Sequence, residues 1–247
     1  MKELLTINKP LVSVVLPTYN RVKYLQLAIE SVLSQSMTDF ELIIINDGST
    51  DLTEKLVNKY KDKRIIYVRQ SNKGEYPATN LGLRTSEGKF VTWIHSDDLW
   101  PKNTLEIRTK ELQRSPRIDF VHGDIENIDE NGKNLGKVKA IDFSAKQAFK
   151  EYLKSESERK QKYLVHHTTI MFRKEFIFKA GYWDESLPYA GDTDWMLRAL
   201  KFGKMKKVSG VLYYYRNHPN ARRITDREKG VDTKSVVDLI LDRYRDK

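Results

Sequence analysis

Four short, nearly continuous apolar runs punctuate the first hundred positions: 11–16 (LVSVVL), 40–45 (FELIII), 65–69 (IIYVR) and 90–94 (FVTWI). Continuous rather than alternating hydrophobicity predicts strands buried on both faces. Between them the period lengthens. Tyr24, Leu25, Leu27, Ala28, Ile29, Val32 and Leu33 form a helical stripe that ends near Gln35, and further helices are expected over 50–60, 78–85 and 103–114, with a polar loop over 71–77. Strands alternating with helices predict a parallel, doubly wound α/β sheet with right-handed crossovers.

After residue 115 the pattern changes. Positions 120–128 alternate, 129–132 read as a turn and 135–141 as a return strand, so this smaller portion is expected to be antiparallel. A helix over 144–153 leads to a charged, Ser-rich loop at 155–162, of the kind that moves over a cleft. His166 and His167 precede an apolar segment at 170–172. On a strand they would point to opposite faces, one into a cleft and one structural. A short helix over 173–180, an aromatic loop over 181–188 and a helix from Trp195 to Phe202 follow, with Asp194 and Arg198 spaced to pair. The last strand is 205–215, then a basic loop at 216–223 and an amphipathic helix over 232–244 that packs on the domain or touches a membrane surface.

A chain of 247 residues with 39% hydrophobic content suits one domain, with halves at 10–115 and 116–220 and a basic tail at 221–247. Without cysteine there is neither a disulfide framework nor a thiolate metal site. With no apolar run of transmembrane length and a polar start, a soluble cytoplasmic protein is expected. The formal charge is +10, and residues 198–247 hold 14 Lys or Arg against 6 Asp or Glu. Such an end attracts nucleic acid, an anionic membrane face or a phosphorylated substrate, or is merely a solvated helical tail.

The chemistry concentrates where strands stop. The fourth run ends at Asp97 and Asp98, and ligands of open parallel sheets bind outside the carboxyl ends of strands, where carboxylates suit Mg²⁺ or Mn²⁺. The same residues would also cap the helix near Pro101. The first run ends in Pro17, Thr18, Tyr19, Asn20 and Arg21, and the second in Asn46, Asp47 and Gly48. Tyr19 offers a ring for a base and Asp47 a carboxylate for a pyrimidine imide, although packing and turn formation would also account for them. Asp192 stands just before the Trp195 helix, free for chemistry or as an N-cap.

Taken together, VSVVLPTYNR, DFELIIINDGSTD, the Ser96-Asp97-Asp98 triplet and GDTDWMLR resemble the family 2 glycosyltransferases, whose fold is the GT-A nucleotide-sugar type, from about residue 11 to 218. The resemblance implies a nucleotide site of Pro17, Thr18, Tyr19, Asn20, Arg21 and Asp47, with Asp97 supporting and Lys73 substituting for a basic diphosphate contact. It implies Mn²⁺ or Mg²⁺ held mainly by Asp98, with His218 assisting, and Asp192 as the base of an inverting transfer. The implied substrates are a nucleotide-sugar donor, UDP foremost with dTDP or GDP open, and a glycan or polyprenyl-linked acceptor in bacterial cell-surface polysaccharide synthesis. The basic end would suit peripheral contact with the inner face of a membrane. No nucleic-acid motif accompanies that charge. The rivals are a sugar-nucleotide pyrophosphorylase, for which PTYNR lacks a Gly-rich basic loop, and a non-enzymatic binder of anionic ligands.

Overall fold

The structure is a computed structural model and describes residues 9–154, 165–221, 224, 230 and 232–245. The anticipated mobile loop at 155–162 and parts of the basic loop and tail lie outside the described residues.

The four apolar runs become β1 (Val12–Thr18), β2 (Phe40–Asp47), β3 (Ile65–Gln70) and β4 (Phe90–Trp93), parallel in the order β3-β2-β1-β4. Helices α1 (Val22–Leu33), α2 (Thr53–Val57) and α3 (Glu75–Thr85) make the crossovers, and α4 (Thr104–Arg114) leads into the second half. There β5 (Phe120–Ile128), β6 (Asn134–Val138), β7 (Met171–Arg173) and β8 (Met205–Arg216) complete an eight-stranded sheet. The remaining helices are α5 (Ala145–Tyr152), α6 (Ile177–Ala180), α7 (Gly191–Phe202) and α8 (Thr233–Arg245).

Strand β1 shows why three layers form. Val12, Val14 and Leu16 point into one apolar cluster with α1 and α4, whereas Val15 points into the other with α3 and α7. Alternate side chains leave opposite faces of a strand, so a strand apolar at almost every position needs helices on both sides. Helix α3 comes so close that a Cβ on Gly82 would overlap Cγ1 of Val15. Gly82→Ala is therefore expected to destabilise the protein by about 1–3 kcal/mol through overpacking, read as a lower urea midpoint at unchanged slope.

Several boundaries differ from the sequence reading, each for a local reason. β1 continues through Pro17 because β4 stops pairing at Val15, so no partner on that side needs the missing N–H. α2 is shorter than 50–60, because Asp51 turns the chain first by accepting from the backbone N–H groups of Thr53 and Val22. α3 begins at Glu75, not Ala78, since Pro77 fits a first helical turn whose N–H groups have no intrahelical acceptor. α7 begins at Gly191, not Trp195, from a left-handed Ala190 at φ 57°. The return strand is Asn134–Val138, and the second half is not uniformly antiparallel, because β8 pairs parallel with β5.

Helix α8 packs on the body of the protein. Ile240 and Leu241 are buried, and the Tyr244 hydroxyl donates to Oδ1 of Asp194 at 2.9 Å. Asp194 also holds Arg198 at 2.8 Å, the pair anticipated from their spacing. Among the described residues no helix is long and apolar enough to cross a membrane.

Candidate active site

The carboxyl ends of β1, β2 and β4 open into a hollow of about 1220 Å³, more than the 300–1,000 Å³ that commonly holds one small ligand. Pro17, Thr18, Tyr19, Asn20, Arg21, Asp47, Asp97, Asp98 and Asp192 all line it. Lys73 does not. Its side chain is exposed, and it contributes only its backbone N–H, which donates to Asp47 at 2.9 Å.

The nucleotide-side loops are fastened to one another. Asn20, at φ 49°, accepts from the N–H of Thr50 at 2.8 Å and donates its own N–H to Ser49. Asp47 is buried and accepts from Gln70 Nε2 at 2.7 Å and from the N–H groups of Lys73 and Gly74. Its carboxylate thus fixes the β3–α3 loop, and Oδ2, with one partner, keeps capacity for another donor. Tyr19 is 45% exposed at the mouth, and the buried Thr18 hydroxyl has no partner among the described residues.

On the loop after β4, Asp98 is buried and accepts from the Tyr213 hydroxyl at 2.8 Å and the Arg216 N–H at 2.7 Å. Burial, reinforced by the neighbouring Asp97 charge, pushes its carboxyl up to about 7. Asp97 shifts the other way. Burial opposes its charge, but the His218 hydrogen bond, with His95 and Arg21, outweighs that and lowers its pKa. Arg21 Nε lies 3.8 Å from Asp97 Oδ2, and His218 Nε2 lies 3.1 Å from the same oxygen.

Among the described residues, the group close enough to hold a cation keeps Asp98 and the supporting Asp97 that the resemblance implies, with His95 in place of His218. His95, Asp97 and Asp98 bring ligand atoms within 4.8 Å of one another, while His218 is committed to Asp97 and packs on Tyr24 at 4.6 Å. Two carboxylates with one imidazole suit Mn²⁺ better than Mg²⁺, which prefers oxygen throughout. His95 lies outside the carboxylate pair that the sequence singles out at the end of β4, and nothing in its local pattern marks it. Burial opposes its protonation, but Glu75, Asp98, Asp97 and Asp192 together raise its pKa.

Asp192 lies on the first turn of α7. Oδ1 accepts from the Thr193 N–H at 2.9 Å, and Oδ2 lies 3.4 Å from His167 Nδ1. The His167 ring packs 5.7 Å from His95, whose Nδ1 is 3.7 Å from Asp98. Two side chains therefore separate Asp192 from Asp98. Gly191 permits this approach: its N–H donates to the Tyr76 hydroxyl, and a Cβ there would meet the Tyr76 ring at 2.8 Å. His166 and His167 both line the hollow, contrary to the expectation of opposite faces. They lead into a 3-10 turn (His167–Thr169) instead of a strand, and their rings stack at 5.5 Å. Burial, together with a neighbouring imidazole in each case, lowers both to about 3.

Comparison with known proteins supplies the frame for this geometry. The model of Glycosyl transferase family 2 matches residues 13–179. The chain belongs to that family. An uncharacterized glycosyltransferase of Rickettsia typhi is 32% identical over 210 residues, covering 85% of this chain and 64% of the relative. One from Rickettsia bellii is 43% identical over 134 residues, covering 54% of this chain and only 19% of that protein. The chain thus matches only part of the length of these relatives. Chondroitin synthase of Escherichia coli is 27% identical over 206 residues, 83% of this chain and 28% of the synthase. Among solved structures, S. aureus TarS 1-349 in complex with UDP-GlcNAc aligns with a TM-score of 0.71 at 22% identity, over 93% of this chain and 66% of that one. That likeness is one of fold, and it establishes the GT-A architecture for this family 2 chain.

Proposed function

We propose that this family 2 glycosyltransferase moves a sugar from a nucleoside diphosphate, UDP foremost, to a hydroxyl of a glycan or lipid-linked acceptor, with inversion at the anomeric carbon. The observation that carries the reading is the convergence of Asp192 with Asp97 and Asp98 in one hollow, on elements that are nearly a hundred residues apart in sequence. UDP is favoured because TarS is known with UDP and with UDP-GlcNAc, and because Tyr19 and Asp47 border the same hollow.

In this reading Tyr19 stacks on the base and the spare capacity of Asp47 accepts its imide N–H. Thr18 supplies an unengaged hydroxyl. Arg21, 3.8 Å from Asp97, stands where the charge of the diphosphate would fall. Asp192 removes the proton of the acceptor hydroxyl as its oxygen bonds to C1, and the bond from C1 to the diphosphate oxygen breaks with its electron pair leaving on the nucleotide. Attack from the side opposite the leaving group inverts C1. His95, Asp97 and Asp98 would hold a divalent cation, which supplies positive charge beside the diphosphate. The pyrophosphorylase and simple-binder alternatives gain nothing from the placement of Asp192. Membrane association and polysaccharide synthesis remain part of the proposal.

A thermal-shift panel of UDP, UDP-sugars, GDP-mannose and dTDP-glucose, with and without Mn²⁺, tests the donor. UDP compounds at about 100 times Kd are expected to raise the midpoint by roughly 5–10 °C, mostly when Mn²⁺ is present. A shift with oligonucleotides but with no nucleotide sugar would overturn the reading.

A further inference from the structure

We propose that His167 is a positioning residue for Asp192, its Nδ1–H donating to Oδ2 and setting the angle at which the carboxylate meets the acceptor hydroxyl. The inference rests on the reading of Asp192 as the base.

The Asp192 side chain is 37% exposed, and its Oδ1 accepts from the adjacent Thr193 N–H. A carboxylate held by one oxygen can still turn about Cβ–Cγ. His167 Nδ1 stands 3.4 Å from the other oxygen, so a small rotation of either side chain completes a hydrogen bond that removes that freedom. The carboxylate acts only as an acceptor, which assigns the Nδ1–H tautomer to the imidazole facing it.

For such a donor to orient anything, it must itself be fixed, and three sets of contacts fix it. The ring is packed by His166 at 5.5 Å, His95 at 5.7 Å and the edge of Trp183 at 6.3 Å. The turn beneath it is closed by the Thr169 N–H and hydroxyl, both donating to the His166 carbonyl. The turn is then tied to the interior by Arg108, whose Nη1 donates to the carbonyls of Thr169 and Ile170 at 3.3 and 3.4 Å, and to the Thr92 hydroxyl at 2.8 Å. Among the described residues this buried guanidinium has no carboxylate partner, a costly way to hold two carbonyls that fits a site where position matters. The roles invert those of a Ser-His-Asp triad, where a carboxylate orients the imidazole that takes the proton. Here the imidazole orients the carboxylate.

The test measures UDP release from whichever UDP-sugar of the panel the wild type turns over fastest, together with UDP affinity by calorimetry. His167→Phe is expected to lower kcat by about 10- to 100-fold, as a misplaced catalytic group does, with donor KM and UDP affinity within about twofold. His167→Asn, whose amide nitrogen replaces Nδ1, should recover most of that loss. His167→Gln, which places its amide nearer the Nε2 position, should not. In the Asp192→Asn background, His167→Phe should subtract nothing further. Should His167→Phe fail to fold, the Asn and Gln pair decides alone, and equal kcat for those two overturns the inference. Wild-type kcat in His167→Phe, or full additivity with Asp192→Asn, overturns it as well. If Asp192→Asn itself keeps full turnover, the base assignment falls first. If Asp192→Asn is inactive while every His167 variant is normal, only the positioning role falls.

Discussion

Asp192→Asn is expected to reduce sugar transfer by about 10²–10⁴-fold, the usual contribution of a positioned general base. The amide keeps the size of the side chain and its acceptor toward the Thr193 N–H, which donates to Oδ1 at 2.9 Å, but it cannot take a proton. Because the Asp192 carboxylate engages the Thr193 N–H and His167, neither of them a residue assigned to the nucleotide, UDP affinity should stay within about twofold. Initial-rate kinetics beside calorimetry separate the two effects, since loss of a contact made only in the transition state lowers kcat and kcat/KM together. A matching fall in UDP affinity would mean that Asp192 serves nucleotide binding instead.

The second large effect is expected at Asp98. Asp98→Asn should abolish most of the Mn²⁺-dependent gain in UDP affinity, whereas the metal-free affinity changes little. Asparagine is a fairer probe than alanine, because alanine would strand the Tyr213 hydroxyl and the Arg216 N–H, both of which donate to this carboxylate. Stranded buried donors cost about 1–3 kcal/mol each and would mix folding with binding. Proton and cation also compete at this carboxyl. Since burial first and Asp97 second push it up to about 7, Mn²⁺ binding should release a proton near neutral pH, and affinity should climb as pH rises toward 8. The metal-free protein should behave in the opposite way. Between the ordinary value of 3.8 and about 7 the native state holds a proton that the unfolded chain has lost, so stability falls as pH rises through that window. Asp97, held below its usual range, acts in the reverse sense at lower pH: its contribution is lost as pH falls. Urea titrations at a series of pH values, on wild type and Asp98→Asn, would show the slope and its flattening.

The parallel half of the fold was legible because β1, β2 and β4 are buried on both faces and read as continuous apolar runs, while β3, at the sheet edge and only half-buried, still carries an apolar run. Tyr19, Asp47 and Asp98 follow or end these strands, and with Asp192 they line one hollow. What escaped the reading was set by tertiary contacts. His95 joins the carboxylates only in space, standing 3.5 Å from Glu75 and 3.7 Å from Asp98. His167 was placed on a strand because apolar residues follow it, but Arg108, about sixty positions earlier, holds that backbone in a turn. The start of α7 was hidden because Ala190, unlike Asn or Gly, gives no signal of a left-handed conformation. No periodicity states which strand a strand will pair with, so the parallel docking of β8 on β5 could not be read in advance.

The strand directions bear on how such a chain can vary. β1 to β4 run together, β5 is reversed twice through β7 and so points the same way, and β8 follows β5. Six strands thus aim their carboxyl ends at a common rim, and the connections at the far rim, near Gln35, Gly88, Arg117 and Gly203, border none of the chemistry. Insertions beside those far connections would project away from the hollow, provided that Gln35, which donates to the Pro101 carbonyl, and Gly88, which is packed against Ser13, are kept.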